Sequence, residues 1–443
     1  MAVANDGGAL GKAVALITMG CAKNEVDSQH MTRRLVAAGY RMEEDPSRAD
    51  CIIVNTCSFI QSATEESLEA VFEVLGLENV EAGSAKVVVA GCMPARYGAQ
   101  LEESLPEANS FVPCSKEDDI AAVVDGLLGV ARDAAAEQPR YQAAAALPGE
   151  YGTYAYVKIS DGCDRRCAYC AIPAIRGAYH SFSFDAIEAE VKRAVEGGAG
   201  EICLIAQDTG RWGQDFEEPL SLAWLMDALA AHCPETWFRV LYLQPEGVTD
   251  QLLAVMAARD NVCSYLDIPL QHVDKALLRS MNRAGSREAF EALVERIQAA
   301  VPDITLRTTL IAGYPGETEE QFEELLDFAA SGLFDYIGVF PFSPEEGTAA
   351  FDLPNQWDED VRLERAQELR DVADSASCAK VAERVGRSFP VLVEGREEDG
   401  QLFGRAMCQA PEVDGCTYLS SGEVGEKRTV TIGDTLFYEM EEE

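Results

Sequence analysis

Three cysteines stand close together in the segment GCDRRCAYC, where Cys163, Cys167 and Cys170 form a C-x3-C-x2-C pattern. Thiolates at such short spacings suit one iron–sulfur cube, because these clusters are held by cysteine sulfur. Three ligands on a four-iron cube leave one iron open to a substrate or cofactor. Zinc fits less well, since it usually takes a fourth Cys or His nearby. His180 is available but lies on a different spacing. Three purely structural cysteines are the bland alternative, and the tight grouping argues against it.

A second set is scattered in sequence but regular in position. Cys21 follows the apolar run ALITMG, Cys57 follows IIVNT, and Cys92 follows VVVAG. Each comes just past the carboxyl end of a strand, where parallel-sheet proteins place ligands. Loops on one rim converge, so three distant cysteines can share one cluster. Cys114, after SFVP, has a similar position, whereas Cys51 lies inside a run and reads as core.

The elements that must position these residues alternate. Val14–Thr18, Cys51–Asn55 and Val87–Ala90 read as buried strands, with helical patterns at Ser28–Ala38 and Thr64–Leu75 between them. Six further strands are expected at Tyr154–Ile159, Ile202–Ala206, Phe238–Tyr242, Tyr265–Ile268, Thr305–Ile311 and Tyr336–Phe340. Helical stretches follow most of them, and a long one runs from about 359 to 385. Strand–helix alternation predicts an α/β fold with parallel sheets, here a partial barrel of six units rather than a closed eightfold one. From Phe389 the pattern changes to short strands, FPVLVEG, QLFGRAM, TYLS, RTVTI and TLFYEM, which read as a small antiparallel barrel. The final GluGluGlu reads as a frayed acidic tail. The domains expected are 1–130, a linker at 131–150, 151–376, and 377–443.

Composition bounds the rest. The chain has 443 residues, 36 Lys plus Arg, 76 Asp plus Glu and a formal charge of −40. So acidic a chain is a poor binder of nucleic acid and would attract a basic partner, unless the excess acid only solvates the surface. No apolar run is long enough for a transmembrane helix, and the start lacks a cationic region ahead of an apolar one. Fourteen cysteines without an export signal point to a reducing, cytoplasmic setting, where grouped cysteines hold metal or do chemistry.

With Tyr169 immediately before its last cysteine, the CDRRCAYC segment resembles the radical S-adenosylmethionine superfamily. Together with TMGCAKNEVDSQHM, VNTCSFI and AGCMPAR it is similar to the methylthiotransferase family over essentially the whole chain. The resemblance implies two 4Fe-4S clusters and S-adenosylmethionine. Cys163, Cys167 and Cys170 would hold the radical cluster, and Cys21, Cys57 and Cys92 an auxiliary one. Cys114 matches no ligand of the family pattern. The resemblance further implies a C-terminal domain of the TRAM type and an electron donor of flavodoxin or ferredoxin type. Tyr169, Gln207, Asp208 and Arg307 are the expected cofactor contacts. Arg176 and His272 are further candidates, each equally readable as structural. Glu317 and Thr318 in GYPGETEE read as a turn and a helix start.

Family members modify either a transfer-RNA adenosine or an aspartate of a basic small-subunit ribosomal protein. The segments GCAKNEVDS, EICLIAQDTGRWG, YLDIPLQHVDKALLRSMNR, TLRTTLIAGYPGETEEQF and FSPEEGT resemble the protein-modifying branch. From Ser377 onward seven Lys or Arg face fourteen Asp or Glu, which suits a basic protein better than RNA. The expected activity is therefore methylthio transfer to the β-carbon of that aspartate. A tRNA-modifying enzyme is the nearest rival, and a non-catalytic iron–sulfur protein that relays electrons or docks on ribosomes is a rival of another class. The chain departs from the family at Ser181-Phe182, where an arginine usually stands in the place of Phe182.

Overall fold

A computed structural model describes residues 11–131, 147 and 149–443. Most of the expected linker lies outside the described residues. The described chain forms two compact units. The first comprises the described residues up to 150 with 162–164 and 170–179, and the second comprises 151–161, 165–169 and 180–443.

In the first unit, β1 (Ala13–Thr18), β2 (Arg41–Met42), β3 (Cys51–Thr56), β4 (Lys86–Gly91) and β5 (Ser110–Pro113) form a parallel sheet in the order β2-β1-β3-β4-β5. Successive side chains along a strand point to opposite faces. Val14, Ile53 and Val88 accordingly join one apolar cluster with Met31, Leu35 and Val124. Ala15, Ile52, Val54, Val87 and Val89 join another with Val71 and Val74. Helices cover both faces, which is why the strands are continuous apolar runs. Register sets Thr18 beside Asn55 and Asn55 beside Ala90, so the carboxyl ends are level.

The second unit begins with β6 (Tyr154–Lys158), followed by a two-stranded hairpin, β7 (Ser160–Asp161) with β8 (His180–Ser181). The strands β9 (Glu201–Ile205), β10 (Trp237–Val240), β11 (Tyr265–Asp267), β12 (Thr305–Ala312) and β13 (Tyr336–Pro341) continue it. They pair in parallel as β10-β9-β6 and β11-β12-β13, with a bridge from Phe238 to Val262 between the two sets. This is the expected six-stranded partial barrel.

After the helix Glu359–Ala382 come β14 (Ser388–Arg396), β15 (Leu402–Ala406), β16 (Thr417–Leu419), β17 (Lys427–Leu436) and β18 (Glu439–Glu442). They close a barrel in the order β14-β15-β16-β18-β17. Two expectations fail here. RTVTI and the start of TLFYEM are one strand, and the turn comes later, at Phe437 with φ 53°. Gly433 reads as a turn signal but sits in a register shift, where a Cβ would lie 2.7 Å from Glu443 Cα. The acidic end is not frayed, because β18 pairs with β17 and β16. Glu442 takes the Arg428 guanidinium at 2.6 Å and the Ser420 backbone N–H at 2.8 Å.

Buried ion pairs join this small barrel to the larger one. Glu201 receives Arg239 at 2.6 Å and Arg405 at 2.6 Å, and Arg405 also meets Glu394 at 2.9 Å. Burial alone would raise the Glu201 carboxyl, but the two guanidinium groups outweigh it and hold it at about 2. Tyr265 donates to Asp414 at 2.6 Å.

Candidate functional site: the cysteine rim and the barrel mouth

Level strand ends deliver the three N-terminal cysteines side by side. Cys21 caps the helix Ala22–Ala37 through its carbonyl, which accepts from Asn24 N at 2.8 Å. Gly20, at φ +93°, allows the close approach to the next loop: a Cβ there would lie 2.4 Å from Cys57 Cβ and 2.8 Å from its Sγ. Only glycine fits that spot. Ser67 fixes Cys57 from both sides, accepting from its N–H at 3.0 Å and donating to its carbonyl at 2.9 Å. Cys92 opens the helix Cys92–Tyr97 directly after Gly91, whose φ is +92°.

Asn24 holds these loops together. Its side-chain amide donates to Met19 O at 3.0 Å and Thr56 O at 2.9 Å, and its Oδ1 accepts from Cys92 Sγ at 3.6 Å. Asn55 donates to Asn24 O at 3.0 Å and Ser28 Oγ at 2.9 Å. Arg176 completes the set, donating to Asn24 Oδ1 at 2.7 Å, Asp27 Oδ2 at 2.6 Å and Cys92 Sγ at 3.6 Å. Burial pushes the Cys92 thiol up to about 12, with Arg176 pulling the other way, and it raises Cys57 too. Cys21 is exposed. Cys114 packs beside Cys92 and donates to Ile175 O at 3.3 Å.

The donor chemistry fits a cluster with an open corner: three thiols from three loops, two enclosed and one exposed. Among the described residues no three His, Cys, Asp or Glu side chains stand close enough to share a single ion. Thiols taking separate corners of a cube need to stand farther apart than the ligands of one ion.

The C-x3-C-x2-C segment divides between the units, Cys163 and Cys170 with the first and Cys167 with the second. In the first unit, Cys163 N donates to Gly177 O at 3.1 Å, and Tyr179 N donates to Asp164 Oδ1 at 3.0 Å. A Cβ on Gly162 would lie 2.2 Å from Ala178 O, so glycine is required where the loop doubles back. In the second unit, Ala168 N donates to Met281 O at 2.9 Å, and Tyr169 is half-buried.

Gln207 and Asp208 follow β9. Arg165, from inside the cysteine segment, donates to Asp208 Oδ2 at 2.5 Å and meets Glu246 at 3.5 Å. Burial raises the Asp208 carboxyl, and Arg165 opposes that rise. Gln207 donates to Asp161 Oδ1 at 3.1 Å. Asp208 Oδ1 and Gln207 Oε1 are both buried without a hydrogen-bond partner among the described residues. Two acceptors held ready in this way suit a ligand that brings hydroxyl or ammonium hydrogens.

Arg307 has a different setting. It is the third residue of β12, with Nε 3.4 Å from Asp414 and Nη1 3.7 Å from Asp267, so its charge is answered at the junction with the small barrel. His272 Nδ1 accepts from Asp274 N at 2.9 Å, and its Nε2 lies 3.4 Å from Glu317. Glu317 also takes Gly313 N at 3.0 Å and Arg365 at 2.6 Å, which makes this a structural brace. Thr318 caps the helix Glu319–Ala330 in a capping box with Gln321. Phe182 follows β8, its N–H donating to Ile159 O at 2.9 Å and its ring edge-on to His180 at 5.3 Å.

Asn24 and Asp27 were not singled out from sequence as site residues. The signal was present. Both fall on the buried stripe of the first helix with Met31 and Leu35, where a polar residue calls for a partner.

Comparisons with known proteins agree with this architecture. Residues 13–113 match a family described as uncharacterized protein family UPF0004, 157–329 the radical SAM superfamily, and 385–442 the TRAM domain. A "ribosomal protein uS12 methylthiotransferase RimO" of Trichlorobacter lovleyi is 38% identical, over 96% of this chain and 97% of the relative. One from Anaeromyxobacter sp. is 41% identical, over 96% and 92%. Among solved structures, the radical S-adenosylmethionine methyltransferase TsrM from Kitasatospora setae shares the fold. Its TM-score is 0.55 at 17% identity, covering 75% of each chain. With its thiol rim, its C-x3-C-x2-C segment and its full-length relatives, the chain belongs to the RimO family of uS12 methylthiotransferases within the radical S-adenosylmethionine superfamily.

Proposed function

We propose that the protein adds a methylthio group to the β-carbon of an aspartate in ribosomal protein uS12. Relatives named for that activity, alike over 96% of the chain, carry the reading. We further propose two 4Fe-4S clusters, one on Cys163, Cys167 and Cys170 and one on Cys21, Cys57 and Cys92. When bound, the first cluster and S-adenosylmethionine supply a hydrogen-abstracting radical, and the second supplies sulfur. Such chemistry suits an unactivated C–H bond, which no side-chain base deprotonates usefully near neutral pH.

The chain's own residues orient and enclose. Gly162 and Gly177 fold the radical loop back, and Arg165 ties that loop to Asp208. Asp208 Oδ1 and Gln207 Oε1 would accept hydrogens from S-adenosylmethionine, with Tyr169 a further contact from the cysteine segment; Arg307 leaves this set because two carboxylates hold it. Ser67, Asn24 and Asn55 fix the sulfur-bearing rim. The partition 1–130, 131–150, 151–376 and 377–443 remains our assignment of domains to these tasks.

The −40 charge favours basic uS12 over transfer RNA, and an electron donor of flavodoxin or ferredoxin type would feed the radical cluster. Among the described residues no helix is long and apolar enough to cross a membrane, in keeping with a cytoplasmic substrate. Mass spectrometry of uS12 and of tRNA from cells lacking the gene tests the reading. Loss of the methylthio group from uS12 alone is expected, and loss from tRNA alone would overturn it.

A further inference from the structure

Arg176 occupies an unusual place within the first unit. The helix Ile172–Arg176 comes two residues after Cys170 and packs against the helix that Cys92 opens, with Ala171, Ile175 and Cys92 in one apolar cluster. Its last residue turns inward, and the Arg176 side chain is only 3% exposed. One guanidinium nitrogen meets Asp27 at 2.6 Å, and the other meets Asn24 at 2.7 Å and Cys92 Sγ at 3.6 Å. The next residue, Gly177, accepts from Cys163 N at 3.1 Å. Adjacent residues therefore touch a sulfur of one cysteine trio and the backbone of the other.

We propose that Arg176, balanced by Asp27, is a positioning residue that sets the reduction potential of the auxiliary cluster. The inference rests on Cys92 being a ligand of that cluster. Hydrogen bonds to the sulfurs and local net charge are principal determinants of iron–sulfur potentials. Partners of the ligands tune a metal centre without binding it. A cation against a thiolate ligand favours the reduced, more negative form, so Arg176 raises the potential. Asp27 faces the same guanidinium with opposite charge and lowers it. The two residues thus have opposite signs, which a purely packing role would not give.

The test uses the full chain carrying Cys163→Ala, Cys167→Ala and Cys170→Ala, reconstituted with iron and sulfide. Its midpoint potential is read by redox titration followed by electron paramagnetic resonance. Arg176→Gln is expected to shift the potential negative, Arg176→Lys to restore part of the shift, and Asp27→Asn to shift it positive. Shifts of the same sign for Arg176→Gln and Asp27→Asn, or no shift in either, overturn the proposal. Should Arg176→Gln fail to take up iron, Asp27→Asn decides alone: a positive shift supports the proposal, and any other result overturns it. A parent variant that binds no iron would instead refute the auxiliary cluster itself, and this inference with it.

Discussion

The thiol rim and the junction between the two barrels both bury arginine against carboxylate, yet they do different things. At the junction Glu201 is enclosed by Arg239 and Arg405, and Asp414 is met by Arg307 and Tyr265. Every charge there is answered by another part of the same unit. At the rim Arg176 and Asp27 pair just as tightly, but Arg176 also reaches a thiol, and Cys21 stays open to solvent. Strong burial and displaced titration are therefore poor guides to chemistry by themselves. A donor set left incomplete by the protein is the better guide.

The largest expected effect separates the two cysteine trios. Alanine at Cys163, Cys167 and Cys170 should abolish 5′-deoxyadenosine formation and every later step. Alanine at Cys21, Cys57 and Cys92 should abolish the methylthio product and leave reductive cleavage of S-adenosylmethionine measurable by chromatography. If each trio holds one four-iron cluster, iron content should fall by about half in either variant, since a cluster depends on its own thiolates.

The junction should respond through stability instead. Glu201→Ala leaves two buried guanidinium groups without their carboxylate, which should cost about 3–5 kcal/mol in denaturant unfolding. The same carboxylate makes an acid-sensitive contribution. Held at about 2 against an ordinary 4.5, Glu201 stabilises the fold fully above pH 4.5 and loses that contribution as pH falls toward 2. Acid titration by circular dichroism should show a transition in that window, diminished in Glu201→Gln.

Gly20→Ala sharpens the contrast from the other side. It places a methyl group against Cys57 at a positive φ, costing about 1–3 kcal/mol of backbone strain, and should reduce auxiliary iron more than it reduces folding. Binding to basic uS12 should weaken as salt rises, because exposed charges are screened beyond about 8–10 Å near physiological ionic strength. Isothermal titration at two salt concentrations checks this, and equal affinity would contradict the charge argument. The smallest effect is expected at Phe182→Arg, where a changed KM for S-adenosylmethionine would show that the missing cation matters.

Six candidate ligand cysteines stand out from spacing because strand ends and short Cys intervals are local signals. Their supports could not. Asn24 acts through Met19, Thr56 and Cys92, contacts that exist only once the sheet is paired. The first helix begins at Ala22 rather than Ser28, because Cys21 caps it through backbone alone and leaves no polar cap in the sequence. In the last barrel Gly433 looked like a turn and is a bulge, while the real turn falls on Phe437, an aromatic residue at positive φ. Arg307 reads as a cofactor contact in the sequence, and only the fold shows Asp414 reaching it from 107 positions away.

The hydrogen bonds among Thr18, Ser28, Asn55 and Asn24 run in one chain, and Ser67 clasps Cys57 beside it. Asn24 extends that chain to Met19, Thr56 and Cys92, so a single side chain spans the ends of three strands. The three cysteines are therefore held as one body: disturbing any one loop is felt by the other two, and an error at one corner is shared rather than contained.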